Sequence, residues 1–152
     1  MKAFRIVRHK FAQLLTGEGA KLYGGRWNSI GTPCIYSSTN ISLCLCEYLV
    51  NLPSYLLPKD LQLVTYDFNE SDVQKINVKD LPKGWDAIPV STVSQYFGDE
   101  LLTSGESLAF LIPSVIIQQE NNIVINTRYP DIDKWLQIES VEEFKLDNRF
   151  EK

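Results

Sequence analysis

From Leu22 to Pro58 the chain carries two charged side chains, Arg26 and Glu47; every other residue there is apolar or neutral polar. A charge inside such a stretch is costly unless it is paired or used. The stretch is therefore expected to lie in or near the core, with these two side chains held there for a reason. The 152 residues fit one domain, taken as residues 1–152, since domains cluster near about 100–150 residues. An apolar fraction of 44% and a charged fraction of 22% exclude wholesale disorder.

Composition also narrows the function. The net charge is −4 and the pI about 5.0. An acidic domain lacks the cationic footprint that phosphate backbones demand, which argues against nucleic acid as the main partner. No apolar run approaches the roughly 20 residues needed to cross a bilayer. Met1–Arg8 reads as a strand and not as a secretory segment. Cys44 and Cys46 stand two apart, and no second Cys/His group completes a zinc site. His9 is the single histidine, so Ser-His-Asp or Cys-His catalysis would need it as the base. These features point to a reduced, cytoplasmic protein without a zinc centre.

Periodicity and turn signals give a mixed α+β fold. Strands are expected at Ala3–Val7, Cys34–Ser37, Gln62–Phe68 and Leu108–Ile112, and in the tail Leu136–Leu146. A short helix is expected over Lys10–Leu15. A second runs from Ile41 to about Leu52 behind a Thr39 or Asn40 cap. A third covers Thr92–Leu102, interrupted by Gly98. Thr16–Thr32, dense in glycine, reads as an irregular loop. Pro53 to Pro58 reads as a connector and Lys83-Gly84 as a turn. Val115–Gln119 and Ile123–Asn126 are expected to form a hairpin around Glu120-Asn121-Asn122.

Several residues invite chemistry. Glu47 sits mid-helix among Leu43, Cys44, Leu45, Cys46, Tyr48, Leu49 and Val50. It reads either as a functional carboxylate or as part of a solvated stripe with Ser42 and Asn51. In Gly24-Gly25-Arg26-Trp27-Asn28, backbone N–H groups and a guanidinium can converge on a phosphate or carboxylate, with Trp27 as a stacking face. Composition alone favours a Gly-rich turn with a surface Arg and a core Trp. Neither a P-loop nor a dinucleotide fingerprint is present. Tyr36, at a strand end, reads as a platform for a planar ligand or as core. Ser114 reads as a ligand-orienting hydroxyl or as a turn cap.

In order along the chain, five segments closely resemble the RES domain. They are Phe4-Arg5-Ile6, Leu15-Thr16-Gly17-Glu18-Gly19-Ala20, Tyr23-Gly24-Gly25-Arg26-Trp27-Asn28-Ser29-Ile30-Gly31, Ile35-Tyr36-Ser37-Ser38 and Cys46-Glu47-Tyr48-Leu49-Val50. That family is the toxin half of bacterial toxin–antitoxin pairs, usually beside an Xre-type antitoxin. It is named for an Arg, a Glu and a Ser, and Arg26, Glu47 and Ser114 match those positions. Glu120–Asn126 and Tyr129-Pro130-Asp131 resemble its closing motif. The chain departs from the family at Thr127-Arg128-Tyr129, where Pro and His tend to precede Pro-Asp.

The resemblance implies an ADP-ribosyltransferase-like α+β fold and a toxin that degrades NAD, its substrate, without a metal. It also implies an antitoxin that blocks the active site. On this reading Glu47 stabilises the oxocarbenium-like ribose. Arg26 binds the diphosphate, Tyr36 stacks on nicotinamide or ribose, and Ser114 orients Glu47 or the ribose. Gly25, Trp27, Asn28 and Asn126 are further pocket candidates. The acceptor can be water, phosphate or a protein. A different class of reading is a non-enzymatic interaction module in which Arg26 and Glu47 pair with each other. Exposed aromatics would suit a homodimer face.

Overall fold

Alternation of side chains along the strands decides the architecture. The computed structural model describes residues 1–53 and 56–151. β1 (Lys2–Arg8) pairs antiparallel with β3 (Leu61–Phe68) along its whole length, and β3 pairs with β7 (Leu136–Glu143). β2 (Ile35–Ser38) pairs antiparallel with β6 (Asn121–Ile125), and β6 with β5 (Ala109–Pro113). β4 (Val73–Lys75) lies parallel to β5 at the edge. One seven-stranded sheet results, in the order β4-β5-β6-β2-β1-β3-β7. Its two halves meet at a single register pair, Phe4↔Ser38, between β1 and β2.

Successive strand residues point to opposite faces, and the core divides accordingly. Ala3, Val7, Ile35, Val64, Ala109, Ile123 and Ile125 belong to one apolar cluster on one face. The other face carries two smaller clusters. One gathers Phe110, Ile112, Val124, Trp27, Trp85 and Leu102. The other gathers Ile6, Leu61 and Cys44. Helix α3 (Thr92–Ser104) covers the first of these through Phe97, Leu101 and Leu102. Helix α2 (Ile41–Val50) covers the second through Cys44, Leu45 and Tyr48. Tyr36, Ser38, Asn122 and Ser114 share the strand parity of Val124 and Ile112, so they line the same face as these two clusters.

The α+β class is as expected, and so are most strands, but four local expectations are corrected. Thr16–Thr32 is not wholly irregular: it holds helix α1 (Glu18–Tyr23), entered through Gly17 at φ +67°. Lys10–Leu15 forms no α-helix. Bonds from Ala12 N to His9 O and from Leu14 N to Phe11 O close tight i→i+3 turns. Gly98 does not interrupt α3, which runs through it to Ser104. Val115–Gln119 is not a strand; β5 and β6 form the hairpin, and Ser114–Glu120 connects them. The Ser114 hydroxyl accepts from Ile116 N at 3.0 Å and Ile117 N at 3.2 Å, which folds the chain back at once. The middle of the connector read from Pro53 to Pro58 lies outside the described residues. A short helix, α4 (Ile132–Trp135), precedes β7. No helix among the described residues is long and apolar enough to cross a membrane.

Gly98 is where α3 rests on the Gly24–Asn28 loop. A Cβ there would lie 1.9 Å from Trp27 O and 2.6 Å from Trp27 C. Alanine is the better helix former by about 1 kcal/mol, but backbone cannot yield to such an overlap. Gly98→Ala is therefore expected to destabilise the fold by about 3 kcal/mol or more. In thermal melts this lowers Tm by roughly 6 °C or more. An unchanged or raised Tm would show that helix and loop are not in contact at this point.

Candidate active site

Helical spacing turns Glu47 inward. It follows Leu43 by four residues and Cys44 by three, so it lies on the face of α2 that those two buried residues press against the sheet. Its Oε1 accepts from Ser114 Oγ at 2.7 Å and from Asn122 Nδ2 at 2.6 Å. Among the described residues Oε2 accepts no hydrogen bond. The carboxylate thus lies away from any Ser42–Asn51 stripe; the Asn51 amide instead donates to Glu47 O at 2.8 Å, closing the helix end. The start of α2 is tied to the same region. Asn40 Oδ1 caps Leu43 N at 2.8 Å, and its Nδ2 donates to Glu120 Oε2 at 3.1 Å.

Arg26 is half-buried and anchored by one nitrogen. Nη1 donates to Trp85 O at 2.9 Å and to Ala87 O at 3.0 Å. Burial lowers the guanidinium from its ordinary range, and the charges of Glu47 and Asp86 offset part of that. An Arg stays protonated regardless. Glu47 is thus near enough to be felt, yet the two form no ion pair within 4.0 Å among the described residues. The cation and the carboxylate are held separately, by carbonyls and by neutral donors, with their mutual attraction unconsumed.

Tyr36 fixes the loop that carries Arg26. Its hydroxyl accepts from Trp27 N at 2.9 Å and donates to Asn28 Oδ1 at 2.6 Å. Asn28 Nδ2 in turn donates to Ala20 O, Thr32 O and Ser29 O. Desolvation holds the phenol well above its usual range, so it remains a neutral donor. Gly25 makes the approach possible, because a Cβ there would lie 2.6 Å from the Tyr36 hydroxyl.

Three of the pocket candidates do not open onto a cleft. Trp27 is 2% exposed and stacked 6.0 Å from Trp85, with Phe97 at its edge, so its ring is core and not a stacking face. Asn28 is fully buried and engaged as described. Asn126 is buried; it donates to Leu102 O at 2.9 Å and accepts from Arg128 N at 3.0 Å. Tyr129 stands against the largest apolar cluster. Asn122 was missed, because its segment reads as a turn. The signal that could have found it is the two-residue alternation back from Val124. No group of His, Cys, Asp or Glu among the described residues could hold a metal ion.

The RES domain profile matches residues 2–147. The chain belongs to the RES domain family. A relative from Photorhabdus laumondii named Toxin Res is 33% identical over 153 residues, covering 100% of this chain and 98% of its own. A Toxin Res from Yersinia enterocolitica is 31% identical, covering 98% of this chain and 99% of its own. A Sphingobium protein named Prs ADP-ribosylating toxin is 36% identical over 133 residues, covering 80% of this chain and 83% of its own. The fold is similar to that in the crystal structure of the M. tuberculosis MbcT–MbcA toxin–antitoxin complex. There the TM-score is 0.71 at 17% identity, covering 94% of this chain and 83% of the other.

The Tyr36 clamp in this RES domain is testable alone. Tyr36→Phe keeps the ring and strands Asn28 Oδ1 and Trp27 N in the interior. The expected cost is about 1–3 kcal/mol, read as a lower denaturant midpoint at unchanged m-value. An unchanged midpoint would mean that the hydroxyl does not hold the loop.

Proposed function

We propose that this chain is the toxin of a toxin–antitoxin pair and that it depletes NAD by cleaving the nicotinamide–ribose bond. The observation that carries this reading is the state of Glu47. It is an inward-facing carboxylate held at one oxygen by two neutral donors, with the other oxygen uncommitted and a guanidinium nearby that forms no ion pair among the described residues. Membership in the RES family and relatives named as toxins support it.

The chemistry asks little of acid–base groups. The ring nitrogen of NAD carries the positive charge while bound; as the bond breaks its electron pair leaves with a neutral nicotinamide, and the positive charge gathers on the ribose in the transition state. A preorganised carboxylate stabilises that charge without a proton transfer. Ser114 orients Glu47 through Oε1. Arg26 keeps Nε and Nη2 for the diphosphate while Nη1 stays on the Trp85 and Ala87 carbonyls. Tyr36 offers a half-buried ring beside the loop it clamps. The acceptor is water or phosphate. Transfer of ADP-ribose to a protein is the second reading, supported by the Sphingobium relative's name. The interaction-module reading pairs Arg26 with Glu47; their separation beyond 4.0 Å supports the enzyme reading over it. The partner is an Xre-type antitoxin that covers the site; a neighbour of the same fold comes from a toxin–antitoxin complex.

Glu47→Gln is expected to fold with an unchanged far-UV spectrum and to lose NAD turnover by about 10²–10³-fold or more. Wild-type turnover in that variant would remove Glu47 from the role. Labelled NAD distinguishes the acceptors: free ADP-ribose indicates water, a phosphorylated product indicates phosphate, and labelled protein indicates transfer. Arg26→Ala is expected to raise KM for NAD more than it lowers kcat. It should also lower Tm, because the Trp85 and Ala87 carbonyls lose their donor. An unchanged KM would break the link between Arg26 and the diphosphate.

A further inference from the structure

We propose that Asn122 and Ser38 form a positioning relay that selects which oxygen of Glu47 faces the substrate. The inference rests on the role proposed for Glu47 and extends it to two residues that the Arg, Glu and Ser signature does not include.

Ser38 and Asn122 are direct cross-strand partners in the β2–β6 register. Ser38 is 2% exposed, and its Oγ donates to Asn122 Oδ1 at 2.7 Å. Asn122 Nδ2 then donates to Glu47 Oε1 at 2.6 Å. The direction of the chain follows from chemistry. An ionised carboxylate only accepts, so the amide must present its NH2 group to Glu47. Reversing the amide would set its carbonyl against the carboxylate, with no proton between them. Ser38 removes that alternative by engaging the amide oxygen from behind.

The neighbouring hydroxyls behave differently. Ser37 Oγ donates to Ile123 O at 2.7 Å, and Thr39 Oγ1 donates to Asn121 O at 3.0 Å. Both tie a side-chain hydroxyl to a backbone carbonyl of β6, from β2 and from the residue that follows it. Ser38 alone in this run bonds a side-chain amide, so its hydroxyl is not needed to hold the strands together. Its backbone also pairs with Phe4 at the single junction between the sheet halves. The relay therefore starts at a point fixed from both sides. Ser114 reaches the same Oε1 from the β5–β6 connection while two backbone N–H groups fill its lone pairs. Two donors from different elements converge on Oε1, and Oε2 is left as the working oxygen.

The test uses the full chain as wild type, Ser38→Ala, Asn122→Ala and the double variant. NAD consumption gives kcat and KM, calorimetry gives Kd for NAD, and melting gives Tm. Asn122→Ala is expected to lower kcat about 10²-fold with KM and Kd within about twofold. Ser38→Ala is expected to lower kcat about 3–10-fold alone and to add nothing in the Asn122→Ala background, because it acts through that amide. Additive losses, or losses seen only in KM or Tm, overturn the relay. If Asn122→Ala does not fold, Asn122→Asp keeps the shape and sets a second carboxylate against Glu47. It should lose at least as much kcat, and wild-type kcat there overturns the relay. A Glu47→Gln variant without turnover beside a fully active Asn122→Ala overturns the relay alone. Wild-type protein that leaves NAD intact, or Glu47→Gln that consumes it normally, overturns the proposed function and the relay with it.

Discussion

Two neutral donors on one carboxylate oxygen, Ser114 Oγ and Asn122 Nδ2, fix where Glu47 points. They come from the β5–β6 connection and the start of β6, while Glu47 comes from α2. The contact therefore ties three elements together at one atom. A carboxylate in this position could have been neutralised by Arg26. It is held instead by groups that carry no charge, which leaves its field available. Asn40, which caps α2 and holds Glu120, keeps the helix in register with the same β5–β6 connection.

The sheet makes this convergence possible. Its two halves share one register pair, Phe4↔Ser38, and on one face they carry separate apolar clusters beneath α3 and α2. Tyr36, Ser38, Asn122 and Ser114 share that face. Polar side chains there are affordable because each has a partner, and no buried side-chain nitrogen or oxygen among the described residues lacks one. Thiols fill the interior elsewhere. Burial pushes Cys34 and Cys44 up to about 12, so both remain protonated and inert at neutral pH.

The loop that carries Arg26 is built on close approaches. Gly25 admits the Tyr36 hydroxyl, and Gly98 admits the Trp27 backbone. Gln95 Nε2 donates to Gly25 O, and Asp99 Oδ1 accepts from Ser29 N, so α3 grips the loop at both ends. Asn28 and Trp27 belong to this scaffold; both are buried and engaged within it. Arg26 is consequently positioned by its own loop and by the Trp85–Ala87 carbonyls, independently of Glu47.

The uncharged run from Leu22 to Pro58 was enough to single out Arg26 and Glu47, since burial makes isolated charges conspicuous. Alternation located β3, a continuous apolar run located β5, and the Thr39-Asn40 cap signal located α2, because those signals are local. The facing of Glu47 stayed open between a functional carboxylate and a stripe with Ser42 and Asn51; its i, i+3 and i, i+4 relation to Cys44 and Leu43 decides it only once those two are seen to be buried. The Ser114–Glu120 turn was not, because a hydroxyl folding back on its own backbone has no periodic signature. That misreading hid Asn122, whose meaning depends on lying opposite Ser38. Which side chains carry charge, and on which face of each element they stand, is a property of the chain itself. Which donors meet at Glu47 Oε1, and that Arg26 stays apart from it, depends on strand register and helix docking. Both are long-range pairings that no local spacing encodes.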